Sequence, residues 1–351
     1  MALQCSFNEI APNCGSILVT INTIKNDNHM KKRLSFLSLL FFTAHFTNAQ
    51  SNNNKAVTSK NNNIIFVSDT QKPMMVEKLV LKPNHNTRAT SLEFSEILQK
   101  KPGYLYMLGD VVALGASNHQ WKKVDKFLDS CRKQGSTVCA VLGNHEVMLN
   151  KRKGEANFNK RFPMNVNTGY VSVADSVAVV LLNSNFNALS IQEKDKQQTW
   201  YEATLKSLDG VDSIKAVIVA CHHSPYSNSK IVKCSGDVQN NFVPAYIQSK
   251  KAQLFISGHA HAFEHFYKQG KDFLVIGGGG GIHQPLNVSS TAIPDEAADY
   301  KPMFHYLSVT RMDNKLSVTS HFLKPDFAGF DIGKQFTTNS RRDVVVSYGT
   351  K

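Results

Sequence analysis

Short apolar runs rich in β-branched residues recur at 64–68, 104–108, 138–142, 216–220 and 254–257, and each stops abruptly at polar residues. Runs of this length, bounded by polar groups, predict buried strands. Between them the spacing changes to that of a helix. Thr90 with Glu93 forms a candidate capping box ahead of Phe94, Ile97 and Leu98. Trp121, Val124, Phe127, Leu128 and Cys131 then fall on one helical face before Gly135. A third helix is predicted from Ser190, with Glu193 completing its box, through Trp200 and Leu205 to Gly210. Strands alternating with helices predict an α/β core whose sheets are covered by helices.

Past residue 257 the helical pattern does not return. Runs at 273–276, 306–310 and 315–322 predict further strands, partly antiparallel. From Lys324 periodicity is lost until the apolar residues at 344–346. At the other end, residues 1–29 show neither period. Met30-Lys31-Lys32-Arg33 then precedes an apolar stretch at 34–46 and the sequence Thr47-Asn48-Ala49. This is the layout of a secretory signal peptide cut after Ala49, with translation beginning at Met30. The stretch is shorter than the roughly 20 apolar residues that span a bilayer, and an uncleaved anchor is the alternative.

The expected organisation is an upstream segment at 1–29, a signal peptide at 30–49, a flexible Asn-, Ser- and Lys-rich linker at 50–62, one domain at 63–323 and a peripheral tail at 324–351. The mature protein would be exported, to a periplasm or outside the cell, and would carry no transmembrane helix.

At 42% hydrophobic and 19% charged, the composition excludes a disordered or fibrous class. A formal net charge of +13 favours anionic partners. No long Lys/Arg block, zinc-finger pattern or aromatic RNP-type motif marks a dedicated nucleic-acid binder. Export would permit disulfides, yet Cys131, Cys139, Cys221 and Cys234 show no framework spacing and read as packing residues.

The chemistry lies where the strands end. In chain order the motifs are Asp69-Thr70-Gln71, Gly109-Asp110, Gly143-Asn144-His145-Glu146, His222-His223-Ser224-Pro225 and Gly258-His259-Ala260-His261. In an open α/β sheet, ligands bind beyond the carboxyl ends of the strands. The carboxylates, carboxamides and imidazoles converging there form a donor set for a pair of divalent cations rather than for one. Phosphoester cleavage needs the charge such ions supply, and a nearby imidazole to protonate the leaving group.

These motifs, in this order, resemble the calcineurin-like metallophosphoesterase superfamily, whose pattern runs Asp-x-His, Gly-Asp, Gly-Asn-His-Glu, His, Gly-His-x-His. The stretch His223-Ser224-Pro225-Tyr226 is similar to the purple acid phosphatase branch. The resemblance covers roughly 63–323. It implies a four-layer α/β/β/α sandwich of two mixed sheets flanked by helices, with two divalent ions (Mn, Fe, Zn or Mg) at one edge. It also implies hydrolysis of a small anionic phosphomonoester or phosphodiester by a hydroxide bridging the ions. Asp69 would bind the first ion and Asp110 would bridge both. Asn144 and His259 would bind the second and His261 the first, with His145 as general acid or phosphate-orienting imidazole rather than ligand. The remaining imidazole is expected to be His223, with His222 as the competing choice.

Two positions depart from the family pattern. Gln71 stands where the first motif has His, so its carbonyl oxygen would be a harder, weaker ligand. Ala113 stands where purple acid phosphatases have their iron-binding Tyr, so a colourless protein is expected. A nuclease or cyclic-nucleotide phosphodiesterase on the same scaffold is the enzymatic alternative, and a catalytically silent binding protein of the cell envelope, to which Gln71 points, is the other. The five glycines at 277–281 read as a tight turn beside the metals in preference to a phosphate cradle. Glu264 and His265 read as either supports of the last ligands or solvated residues, and His119 as a helix-start surface residue.

Overall fold

Alternation within the first strand sets the layering. In the computed structural model, which describes residues 62–338, β1 (Ile64–Val67) sends Ile64 and Phe66 to one side and Ile65 and Val67 to the other. The upstream segment, the signal peptide, the linker up to residue 61 and the apolar residues at 344–346 lie outside the described residues. β2 (Tyr104–Met107) and β3 (Thr137–Ala140) continue β1 in parallel, linked through helices α1 (Met75–Val80), α2 (Asn86–Lys100) and α3 (Asn118–Lys133). After β3 come α4 (Asn144–Val147) and α5 (Lys151–Arg161).

The second sheet opens with the antiparallel pair β4 (Tyr170–Ala174) and β5 (Val177–Leu181). Helix α6 (Ile191–Gly210) leads to β6 (Ala216–Ala220), and α7 (Gly236–Asn241) with α8 (Val243–Gln248) leads to β7 (Ala252–Ser257). β8 (Phe263–Lys268) and β9 (Lys271–Ile276) complete it in the order β4-β5-β6-β7-β9-β8. The chain then returns to the first sheet. β10 (His305–Met312) pairs antiparallel with β1, followed by β11 (Lys315–Leu323) and β12 (Phe330–Thr337), giving the order β12-β11-β10-β1-β2-β3.

Both sheets are mixed, and their facing surfaces share one core that includes Phe66, Tyr106, Val179, Ile218, Ile256 and Leu307. Helices α2, α3 and α5 cover the outer face of the first sheet through Phe94, Trp121 and Phe158. Helices α6 to α8 cover the second through Tyr201, Phe242 and Tyr246. The four-layer α/β/β/α sandwich is therefore present. Among the described residues no helix is long and apolar enough to cross a membrane. Cys131, Cys139 and Cys221 are buried thiols that pack in the core, and Cys234 is a half-buried thiol.

The α6 capping box forms as expected, with Ser190 Oγ accepting from Glu193 N–H and the Glu193 carboxylate accepting from Ser190 N–H at 2.8 Å. The box expected at Thr90 does not. α2 starts one turn earlier, at Asn86, because the Asn86 amide is anchored to the carbonyls of Gly280 and Gly281, both at 2.9 Å. Thr90 Oγ1 bonds back to Asn86 O, and Glu93 is carried inward, fully buried with neither carboxyl oxygen partnered. A second difference lies at the end of the chain, where Phe330–Thr337 is the edge strand of the first sheet although its sequence lacks alternation. Its side chains are mostly half-buried or exposed, so no buried face imposes a period.

Burial pushes the Glu93 carboxyl well above its ordinary 4.5. With the folded value raised, the unfolded chain ionises first, so this group subtracts from stability as pH rises beyond about 4.5. Glu93→Met is expected to stabilise the protein by about 1–3 kcal/mol, with a larger gain in melting temperature at pH 8 than at pH 5. An equal gain at both values would remove ionisation as the cause.

Candidate metal centre

Asp69, Asp110 and His259 all follow strand ends in the left-handed region, at φ 60°, 48° and 67°. Non-glycine residues adopt that backbone sparsely, and tend to do so where function requires a side chain to be aimed. Here the turns aim three candidate ligands into one space between the sheets. The motif glycines are close-approach residues: a Cβ on Gly143 would collide with Asp110 Oδ1, and one on Gly258 with Ser68 Oγ and Asp69 Oδ2.

The Asp110 carboxylate lies at the middle. Its Oδ1 accepts from the His145 backbone N–H at 2.8 Å, and its Oδ2 faces His222 Nε2 at 3.2 Å and His145 Nε2 at 3.8 Å. On one side Asp69 Oδ1 is 3.4 Å from His261 Nε2, while Ser68 Oγ donates to Asp69 Oδ2 at 2.6 Å. Gln71 completes this half. Its amide nitrogen donates to the carbonyls of Asp69 (3.0 Å) and Asp110 (2.8 Å), and its oxygen faces His261 Nε2 at 3.2 Å. On the other side His222 Nε2 lies 3.1 Å from Asn144 Oδ1.

Ligand atoms of Asp69, Asp110 and His222 lie within 4.8 Å of one another, as do those of His222, His223 and His259. His222 thus joins both halves. The sequence favours His223 at this point; His222 reaches Asp110 and Asn144, and His223 stands with it in the ligand group that includes His259. His223 has its Nδ1 2.9 Å from Ser184 Oγ and its ring against that of His259, 4.5 Å between centroids.

This donor set suits divalent cations. His222 and His261 each direct Nδ1 at a backbone carbonyl, Leu108 at 2.9 Å and Ile282 at 2.8 Å, which fixes Nε2 as the free ligand atom. Burial alone would push His222 down, but the Asp110 carboxylate beside it carries it up to about 9. His261 is likewise raised, against its burial, by Asp69. Both carboxylates are held low: burial would raise them, and the neighbouring imidazoles reverse it, His261 first for Asp69 and His222 first for Asp110. Protons therefore stand where cations would balance the same carboxylates. Burial, and then the charge on His222, pushes His223 down to about 3 and His259 well below its usual range, so both rings are neutral donors.

His145 is held differently. Its Nδ1 donates to the Ala113 carbonyl at 2.9 Å, leaving Nε2 facing the centre. Burial lowers its basicity, and Asp110 followed by that carbonyl more than restores it.

Some functional residues carry no separate signal in the sequence. Glu146 is a brace: its carboxylate accepts from the N–H groups of Asp110 (2.8 Å), Val111 (2.9 Å), Val112 (3.2 Å) and Gly143 (2.8 Å). Burial and Asp110 push it up to about 7, while these four donors occupy both oxygens and favour the ionised form. Glu264 is buried too, accepting from Ser227 Oγ and Asn228 N–H, and it shapes the loop after His223. His265 pairs with Asp272 at 2.9 Å, so neither residue is solvated. The glycine run is a packed turn, since Gly279 and Gly281 donate their N–H groups to the carbonyls of Ser68 (2.8 Å) and Asp69 (2.9 Å).

Residues 63–263 match the family described as calcineurin-like phosphoesterase. Among solved structures, a purple acid phosphatase from seeds of yellow lupin (Lupinus luteus) superposes with a TM-score of 0.58 at 16% identity, over 78% of this chain and 53% of that one. The chain thus spans about half the length of the lupin protein. A Plasmodium protein described as the anchor in the inner membrane complex superposes with a TM-score of 0.54 at 13% identity, over 79% of this chain and 88% of that one. At these identities the likeness is one of fold.

Proposed function

The chain belongs to the calcineurin-like phosphoesterase family, and from that premise we propose that it is a metal-dependent hydrolase of phosphomonoesters or phosphodiesters. The observation that carries this reading is the position of Asp110, whose carboxylate stands between an Asp69–His261 half and an Asn144–His222 half. Asp69 and His261 would hold one cation, with the Gln71 oxygen beside them. Asn144 and His259, together with His222 and His223, would hold the other, and Asp110 would touch both. When bound, Mn, Fe, Zn or Mg ions supply positive charge for the phosphoryl oxygens and acidify water to near neutrality.

The chain's own groups do the remainder. Asp110 and Asp69 would supply the negative charge that holds the cations. Asn144 offers an uncharged oxygen, so the site retains net positive charge toward an anionic ester. His145, fixed through Ala113, is placed to give its Nε2 proton to the departing oxygen.

Protein supplied with each divalent metal in turn is expected to hydrolyse p-nitrophenyl phosphate or bis-p-nitrophenyl phosphate, and chelation to stop it. Preference for the diester would favour the nuclease or cyclic-nucleotide phosphodiesterase alternative. A silent envelope-binding role is favoured by one feature, the Gln71 amide nitrogen committed to two backbone carbonyls. Folded, metal-loaded protein inert toward both esters would support that role and sink the hydrolase reading.

A further inference from the structure

On the helix side of the loops that bear Asp69 and Asp110, between α2 and α3, lies a cavity of about 190 Å³. Its floor includes Thr70, which separates Asp69 from Gln71, and Ala113, whose carbonyl holds His145. Ala113 thus links the cavity to the imidazole assigned to the leaving group. Lys72, Lys122, Lys123 and His119 line it.

None of these lysines forms an ion pair among the described residues; lysine ion pairs occur elsewhere, at Lys100, Lys151, Lys301 and Lys324. Two nearby carboxylates are already engaged, Glu77 by the Met74 N–H at 2.5 Å and Asp125 by Arg161 at 2.5 Å. Lys123 donates to Thr87 O at 3.3 Å and to Ser91 Oγ, which holds its ammonium at the wall. Burial, and then the charge on Lys72, depresses Lys123, so the two cations repel across the cavity. Unneutralised like charges around one cavity raise the local concentration of anions.

We propose that this cavity is a subsite for a second phosphate carried on the leaving group of the ester. The inference rests on the phosphoesterase reading above. Three ammonium groups match a phosphate dianion as point charges better than a single-charged carboxylate. A substrate with its ester at Asp110 and its leaving group beside His145 would extend past Ala113 toward Lys72 and Lys122. The substrate class is then a compact bisphosphate, cleaved at one ester and gripped at the other.

Phenyl phosphate and 1,4-phenylene bisphosphate differ only in that second group. The ratio of their kcat/KM values is expected to favour the bisphosphate by at least about tenfold at low salt and to fall toward one as ionic strength rises. Lys72→Ala with Lys122→Ala should collapse the same ratio. Both lysines are accessible at the cavity rim, so the fold should survive, as circular dichroism would check. Calorimetric titration of 1,4-phenylene bisphosphate into metal-free protein in EDTA gives a readout independent of turnover, and binding there should also depend on the two lysines. Turnover of both esters with a ratio near one, a ratio untouched by the substitutions, or binding no tighter than that of inorganic phosphate would overturn the subsite alone. Failure to turn over either ester in metal-loaded protein overturns the phosphoesterase reading instead, and the titration still reports the subsite.

Discussion

Asp110→Asn removes hydrolysis by at least about a thousandfold, equivalent to about 4 kcal/mol of barrier, and lowers the metal content of folded protein by at least one ion per chain. The substitution keeps the size of the side chain and an oxygen that can accept the His145 backbone N–H, so the α4 turn is retained. What changes is the atom facing His222 and His145, where an amide N–H₂ replaces an anionic oxygen. Both halves of the centre lose the charge they share.

The metal-free protein reports the same loss by another route. Against its burial, Asp110 holds His222 at about 9, so this pair stabilises the fold fully below about pH 6.5 and ceases to do so as pH rises through about 9. Metal-free wild type should therefore lose melting temperature between pH 7 and 10 through this pair, and Asp110→Asn should flatten that slope. Elemental analysis, initial rates and thermal melts on one preparation decide the matter. Full metal occupancy with activity within tenfold of wild type would falsify the central role of Asp110.

Five of the strands could be read from sequence because a strand buried on both faces must be apolar at every position, as at Ile64–Val67 and Ala216–Ala220. The same burial makes the motif at each strand end conspicuous, since a polar cluster there interrupts an apolar run. Boundaries set by tertiary anchoring were hidden. Nothing local announces that Asn86 will clasp Gly280 and Gly281 and start α2 a turn before Thr90.

The choice between His222 and His223 was equally closed to sequence, because the fold brings a ligand atom of each ring within 4.8 Å of the other and of His259. Only the position of Leu108 O and Asn144 Oδ1 shows that His222 reaches the carboxylate. Glu146 lies in the recognised motif, yet its task, collecting four backbone N–H groups from two loops, exists only once β2 and β3 are paired. The cationic cavity was dispersed in the chain as Lys72, His119 and Lys122-Lys123, and α3 alone does not reveal that its three residues share a cavity with Lys72 of the loop after β1.

His145→Ala is the complementary experiment, because it should leave the metals in place and slow turnover by about 10²–10⁴. The backbone N–H of residue 145 still binds Asp110 Oδ1 in the variant, and none of the carboxylate, carboxamide or imidazole groups placed around Asp69 and Asn144 depends on the missing ring. Proton donation matters in proportion to how badly the leaving oxygen needs it. Phenyl phosphate, with the poorer leaving group, should therefore suffer a larger loss than p-nitrophenyl phosphate. In wild type the Ala113 carbonyl and the Asp110 carboxylate both favour the protonated imidazole despite its burial, so the acid form extends above its usual range and the donor's rate contribution declines only on the alkaline side. That alkaline limb should vanish in the variant. Loss of metal from His145→Ala, or an equal effect on both esters, would mean that His145 serves as a ligand or a structural support and not as the proton donor.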